Sequence, residues 1–371
     1  MSQARYIMIG GFLGAGKTTT IQKFAQWLDA KGLSVGLITN DQGAGLVDSA
    51  LGRSNKFAVE EIAGGCFCCR FNSLLDAAKT LTDETRPDVF LAEPVGSCTD
   101  LVATVSLPLQ RIYGENYRVA PLSVLVDPIR ALRVLEIEPG KKFSQNVRYI
   151  YKKQLEEAEN IVINKIDLLD DQQLQVLRDG LEREFPDAEV FEQSAREDTN
   201  LEAWFDAVYN AEMNVSRFLE IDYQRYGEGE ALLGWLNSTI EIESEDDEFD
   251  GNSLLLELAE ALRDRLGAQD AEVAHLKMTL TPIGDPYEIG AVNLVRDDSR
   301  PELSHTLSEP LEDGELLLNM RVESAPEILE QAAKEVIEQI LKGSHGLEYK
   351  ITHSEHFRPG VPVPIHRMAS E

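Results

Sequence analysis

Three thiols occupy four positions, Cys66, Cys68 and Cys69, directly after the glycine pair Gly64-Gly65. Sulfurs this close can converge on one soft cation, and thiolates suit zinc, Cu(I) or cobalt. A redox relay and inert packing are the competing uses of the same residues. Cys98 is the remaining cysteine of the four in the chain. It is read either as a fourth ligand that approaches the trio in one state of the protein or as a small buried hydrophobe.

A second chemical signature lies upstream. Gly11-Phe12-Leu13-Gly14-Ala15-Gly16-Lys17-Thr18 matches GxxxxGK[ST], with an apolar strand before it and a helical pattern after it. Its glycines let backbone N–H groups turn inward around phosphate oxygens, and the helix N-terminus adds its positive end. Gly11, Gly14, Ala15, Gly16, Lys17, Thr18 and Thr19 are therefore expected to cradle a nucleotide. Lys17 reaches the β- and γ-phosphates, and the Thr18 hydroxyl holds Mg²⁺. Asn164-Lys165-Ile166-Asp167, at the end of another apolar strand, selects the base. The Asp167 carboxylate can accept from both N1–H and the 2-amino group of guanine, a pair that adenine does not offer at those atoms. Asn164 braces neighbouring loops, the Lys165 stem lies over the base, and Ser194-Ala195 presents a backbone N–H to guanine O6.

Two segments between these motifs have the character of switches. Asp41 and Asp48 stand in an acidic, glycine-bearing loop after the second strand and can bind Mg²⁺ or position water. Glu93, at the end of the strand Asp88–Ala92, is followed by Gly96 in ExxG spacing. That places a carboxylate near Mg²⁺ and a glycine N–H where a γ-phosphate could hold it. Lys17, Asp48 and Glu93 are the candidate catalytic residues; Thr18, Asp41, Asp48 and Glu93 are the candidate Mg²⁺ ligands.

These residues need a scaffold that gathers them along one edge. Apolar strands at Arg5–Gly10, Ser34–Thr39, Asp88–Ala92, Leu122–Val126, Asn160–Ile163 and Glu189–Gln193 alternate with helical patterns. The helices are expected at Lys17–Lys31, Asn72–Thr82, Phe143–Glu157, Asp171–Glu184 and Leu201–Ala211. This rhythm predicts an α/β fold, a doubly wound, mostly parallel sheet, over residues 1–212. A linker over 213–230 follows, then a smaller α+β domain over 231–371. In that domain the order of strands and helices is close to a split βαβ, ferredoxin-like sandwich. The segment from Phe357 to Met368 carries three prolines and must be extended; it reads as a strap or docking segment. All six histidines lie beyond residue 270, and His353, His356 and His366 are read as surface residues, the alternative being that they help receive metal or touch a client.

The run GFLGAGKTT, the loop beginning Asn40-Asp41-Gln42-Gly43, EIAGGCFCC, the ExxG strand end and NKID together resemble the CobW-like metallochaperone GTPases, relatives of UreG and HypB. The likeness covers roughly residues 5–212. It implies a GTPase that holds a transition metal, often zinc, at Cys66, Cys68 and Cys69 and passes it to a client metalloenzyme or cofactor-assembly protein. It also places Glu61 among the switch carboxylates. Asp41 where the family commonly has Glu, Gly64 where it commonly has Asn, and Pro94-Val95 in place of small hydroxyl residues mark an offshoot with its own client. A nitrile-hydratase activator and a corrinoid-enzyme helper are two such roles. The competing readings are a GTP-dependent conformational chaperone or reactivase with a purely structural zinc, and a thiol redox sensor.

Composition narrows the partners. With 35 Lys and Arg against 65 Asp and Glu, the net charge is −30. Phosphate neutralisation needs a basic surface, so neither nucleic acid nor an anionic membrane is expected as a partner. No apolar run approaches the length of a membrane span. A strand starting at Arg5 leaves no room for a signal peptide, and clustered thiols suit a reducing compartment, so a cytoplasmic location is expected. The expected cofactors are GTP, Mg²⁺ and Zn²⁺, with Co²⁺ as the alternative ion; a homodimer is compatible with all of this.

Overall fold

Strands buried on both faces are near-continuous apolar runs rather than alternating ones. YIMIG, FLA and NIVI in this sequence are of that kind. The computed structural model describes residues 3–40, 57–214, 218–244, 248–285 and 287–368. Its first sheet contains β1 (Ala4–Gly11), β2 (Val35–Asn40), β3 (Ala58–Ile62), β4 (Val89–Glu93), β5 (Tyr117–Val119), β6 (Ser123–Val126), β7 (Asn160–Ile163) and β8 (Glu189–Glu192). The order is β3-β2-β4-β1-β6-β7-β8, with β5 beside the start of β1. All these pairings are parallel. Sequence order reverses around β1, and the crevice at the carboxyl ends of its neighbours is where such sheets hold ligands.

Helices α1 (Lys17–Ala30), α2 (Phe71–Glu84), α3 (Leu107–Tyr113), α4 (Pro128–Val134), α5 (Gln145–Glu157), α6 (Asp171–Glu184) and α7 (Leu201–Asn210) accompany this sheet. In α2, Phe71, Leu74, Ala77, Ala78 and Leu81 form the buried stripe, at the i, i+3, i+4, i+7 spacing of an amphipathic helix. Helix α6 starts where Asp170 and Gln173 form a reciprocal capping box.

Contacts divide the chain into two compact units. Helix α8 (Tyr223–Leu232) runs across the division at 229/230, where only a linker was expected. The second unit, residues 230–360, is a six-stranded antiparallel sheet. Its strands are β9 (Leu233–Glu243), β10 (Glu272–Thr281), β11 (Gly290–Leu294), β12 (Glu302–His305), β13 (Asp313–Glu323) and β14 (Glu348–Phe357), in the order β12-β11-β10-β13-β9-β14. Helices α9 (Gly251–Gly267) and α10 (Pro326–Ile337) contribute Leu258, Leu262, Leu329 and Val336 to its core. With β9, β10, β13 and β14 as the four basic strands, this is the split βαβ arrangement, extended at one edge by β11 and β12.

The tail differs from expectation. Sequence order alone assigned it to the second domain, but from Val361 onward it belongs to the unit built on the parallel sheet. Among the described residues, no helix is long and apolar enough to cross a membrane.

Candidate functional site

Each motif leaves the carboxyl end of a strand, so the sheet itself collects them. After β1, Gly11, Gly14 and Gly16 all have positive φ, at 132°, 80° and 91°. At two of them a side chain would also collide. A Cβ on Gly11 would lie 2.4 Å from the Leu125 carbonyl oxygen, and one on Gly16 would lie 2.4 Å from Asn164 Nδ2. Lys17 is buried, and its Nζ is 3.9 Å from Glu93 Oε1. Thr18 Oγ1 donates to the same oxygen at 3.1 Å. Thr19 is exposed on the first turn of α1. A hydroxyl beside a carboxylate, with a buried lysine and a glycine-bearing turn, is a donor set that suits phosphates with a hard divalent cation.

The base box is tied to this loop by side chains. Asn164 Nδ2 donates to the Ala15 carbonyl at 2.9 Å, and Asn164 Oδ1 accepts from the Ala195 amide at 3.2 Å. Lys165, at φ 57°, sends Nζ to the Gly14 carbonyl at 2.7 Å and to Asp127 Oδ2 at 3.0 Å. Ser194 Oγ donates to Asp167 Oδ1. The Ser194 amide is engaged with the Thr199 carbonyl at 3.1 Å. Both backbone N–H groups of the Ser194-Ala195 pair therefore have protein acceptors here, and the Ala195 amide would have to exchange Asn164 for the base.

Asp127 escaped the sequence reading. It is buried at the end of β6 and caps α4 by accepting from the Arg130 amide at 3.0 Å. Its position at a strand end before proline was the available signal, since Asp-Pro starts helices.

On the other side of β1, Glu93 ends β4. A Cβ on Gly96 would lie 2.8 Å from Leu13 Cδ2 and 3.0 Å from the Leu13 nitrogen, so this loop rests directly on the phosphate-binding turn. Asp41 and Asp48 lie outside the described residues. Glu61 sits in the edge strand β3, paired with Thr39 of β2.

The three thiols form one turn after β3. The Cys69 and Arg70 amides both donate to the Cys66 carbonyl, at 3.0 and 2.9 Å, and the turn runs into α2. The sulfurs are 2.9 Å apart for Cys66–Cys68, 3.2 Å for Cys66–Cys69 and 3.7 Å for Cys68–Cys69. No disulfide links them. Zinc with four ligands at tetrahedral angles sets its sulfurs about 3.8 Å apart. The Cys68–Cys69 pair already has that spacing, and Cys66 must move outward by somewhat under an ångström for an ion to enter. Hydrogen bonding from Cys68, then from Cys69, holds Cys66 well below the ordinary thiol range. The same bond to Cys66 pushes Cys68 up, and the one to Cys69 pushes that thiol up to about 11. Cys66 is thus the most acidic of the three sulfurs.

Asn40 fixes this turn. At the last position of β2, its Nδ2 donates to the carbonyls of Ile62 at 2.9 Å and Gly65 at 2.8 Å, and its Oδ1 accepts from the Phe67 amide at 2.9 Å. Sequence reading passed over Asn40 for the acids that follow it.

The tail lies against the thiols. The Val363 amide donates to Cys69 Sγ at 3.2 Å and the Ile365 amide to the Cys68 carbonyl at 2.9 Å. His366 meets the Phe71 ring edge-on at 4.9 Å. Arg367 Nε donates to Asp100 Oδ2 at 2.7 Å, and the Met368 amide to the Ala103 carbonyl at 2.9 Å. Ending the chain after Gly360 is expected to raise the alkylation rate of Cys69 at least tenfold, as read by mass spectrometry. An unchanged rate would mean the tail does not shield that sulfur.

Beneath the same loop, Glu157 accepts from Thr99 Oγ1 at 3.0 Å and from the Val102 amide at 3.2 Å. Burial first, then the charge of Asp100, raises it to about 8 from 4.5. The folded state therefore keeps a proton that the unfolded chain releases. Stability from this group is complete below about pH 4.5 and is lost as pH rises towards 8. Glu157→Gln can present its oxygen to Val102 and its amide to Thr99. It is expected to flatten the decline of melting temperature between pH 6 and 9; parallel curves for both proteins would contradict the assignment.

The sequence matches the family described as CobW/HypB/UreG, nucleotide-binding domain, over residues 5–192, just over half of the 371-residue chain. A curated relative, the zinc chaperone CobW from Sinorhizobium sp., is 31% identical over 217 residues. That alignment covers 53% of this chain and 58% of the relative, so the chain spans little more than half the relative's length. Among solved structures, the hydrogenase maturation factor HypB from Archaeoglobus fulgidus is 21% identical with a TM-score of 0.38, covering 55% of this chain and 87% of its own. The Zn(II)-bound YjiA GTPase from E. coli is 15% identical with a TM-score of 0.38, covering 91% and 99%. Likenesses that distant carry no functional weight. The match over the phosphate-binding turn, the thiol turn and the base box does, and by it the chain belongs to the CobW/HypB/UreG nucleotide-binding family.

Proposed function

We propose that the protein binds and hydrolyses GTP and uses the nucleotide state to control a transition-metal ion, zinc or cobalt, carried as cargo on Cys66, Cys68 and Cys69 and delivered to a client metalloenzyme. The observation that carries this reading is the grip of Asn40 on the thiol turn. Asn40 is the residue from which the first acidic loop departs, and its three hydrogen bonds reach Ile62, Gly65 and Phe67. A nucleotide-driven movement of that loop would be felt at the sulfurs through those bonds.

In this reading Gly11 to Thr18 hold the phosphates, Asn164 and Lys165 brace the base pocket, and Asp167 accepts from guanine. Mg²⁺ would neutralise developing charge on the phosphate oxygens, held by Thr18 and Glu93 with Asp41 and Asp48. Lys17 lies against the γ-phosphate, and Asp48 or Glu93 orients the attacking water. Because catalysis of phosphoryl transfer is mostly positioning, turnover is slow until a client completes the site. The sequence match to a zinc chaperone supports zinc as the ion. The test is zinc affinity measured with GTP·Mg²⁺ and with GDP·Mg²⁺. A difference of at least tenfold is expected, and Asn40→Ala should shrink it. Equal affinities in the unaltered protein would reduce the ion to a structural one.

A further inference from the structure

We propose that Cys98 is a fourth sulfur ligand of the ion held by Cys66, Cys68 and Cys69, which attaches the ion directly to the loop that follows Glu93. This rests on the reading of the trio as a metal site and deepens it.

Cys98 is 1% exposed, and its side chain is within hydrogen-bond reach of Cys66. The tail touches both segments. Within the six residues 363–368 it bonds to Cys69 Sγ and the Cys68 carbonyl at one end, and to Asp100 and the Ala103 carbonyl at the other. The Cys98 backbone is fixed as well. Its amide donates to the Val95 carbonyl at 2.9 Å, while Gln154 Nε2 donates to the carbonyls of Gly96 at 2.9 Å and Cys98 at 2.8 Å.

Three sulfurs leave one position of a tetrahedral ion open. The three thiol sulfurs lie within 4.8 Å of one another, and the Cys98 side chain neighbours both Cys66 and Cys68. The mechanical consequence is specific. Cys98 is two residues beyond Gly96, and Gly96 rests on Leu13 of the phosphate-binding turn. A fourth ligand at this place makes the ion's coordination depend on the position of the loop that faces the γ-phosphate. Asn40 links the thiols to the first loop; Cys98 would link the ion to the second.

The test uses the full chain loaded with one equivalent of Co²⁺, whose thiolate-to-metal absorption scales with the number of bound sulfurs. Cys98→Ser is expected to lose about a quarter of that intensity, as the site goes from four sulfurs to three. Cys98→Ala, read in the same way, guards against an effect peculiar to serine. The rise in melting temperature on adding Co²⁺ should be smaller in both variants, which separates lost ligation from lost packing. Identical absorption in the unaltered protein and both variants would overturn the proposal while leaving the trio intact. Absence of the thiolate band from the unaltered protein would instead overturn the reading of the trio, and this proposal with it.

Discussion

Replacing Asp167 by asparagine is expected to lower GTP affinity by about two to four orders of magnitude and to create affinity for xanthosine triphosphate. The argument starts from the acceptor. An ionised carboxylate offers only lone pairs, and a base with two adjacent N–H donors satisfies them. Hydrogen bonds to a charged group are each worth about 1.5–3 kcal/mol, so losing two reaches the stated range. Asparagine would present its amide hydrogens to the guanine N2 amino group, donor against donor. Xanthine has a carbonyl at that position and restores the match. The surroundings favour a clean result, because Asp167 is held by the Ser194 hydroxyl, which can turn round to accept from the new amide. Asn164 and Lys165, bonded to the Ala15 and Gly14 carbonyls, keep the phosphate-binding turn in place without help from Asp167. Titration with fluorescent GTP and xanthosine triphosphate gives the answer. If the variant binds GTP as before and ignores xanthosine triphosphate, the base pocket is elsewhere.

What was legible in the sequence follows from how locally each feature is encoded. Strands β1, β2, β4, β6 and β7 are buried on both faces, so nearly every residue in them is apolar and the run declares itself. Strand β3, Ala-Val-Glu-Glu-Ile, was missed because it lies at the sheet edge, pairs with β2 alone and carries two acids. The motifs at Gly11 to Thr18 and Asn164 to Asp167 were legible because backbone shape and charge fix residue type at fixed spacing. Asp127 and Asn40 were not, since each acts on residues distant in sequence: Lys165 in one case, Ile62, Gly65 and Phe67 in the other. The tail beyond Phe357 forms neither helix nor strand among the described residues, in keeping with its prolines. Its place beside Cys68 and Cys69 depends on backbone amides at Val363 and Ile365, and amides leave no mark in a sequence. Helix α8 was hidden by Gly227 and Gly229. A Cβ at either would come within 2.6 Å of Val361 or the Asn146 carbonyl, so these glycines serve close packing at the expense of helix propensity.

Serine at Cys66 or Cys68 is expected to weaken zinc binding by about two to three orders of magnitude, and at Cys69 by less. Structural zinc sites of three or four thiolates are worth roughly 10–16 kcal/mol, so one sulfur accounts for about 3–4 kcal/mol. Cys66 and Cys68 are buried, where nothing replaces a lost thiolate; Cys69 is half-buried, where water can take its place. The pH dependence follows from the protonation states. Cys66 is already held low, whereas Cys68 and Cys69 are raised and keep their protons at neutral pH. An ion must therefore displace at least two protons, and apparent affinity should rise about 100-fold for each pH unit below the range of those thiols. Competition with a chromophoric chelator from pH 6 to 8 measures the slope, and proton release into a weak buffer counts the protons directly. The direction is upward with pH because the metal competes with protons for the same lone pairs. An affinity flat across that range would mean that the sulfurs enter binding as thiolates already, or are not the ligands. Proton release in the serine variants separates those outcomes, since a true ligand takes its proton out of the count when it is replaced.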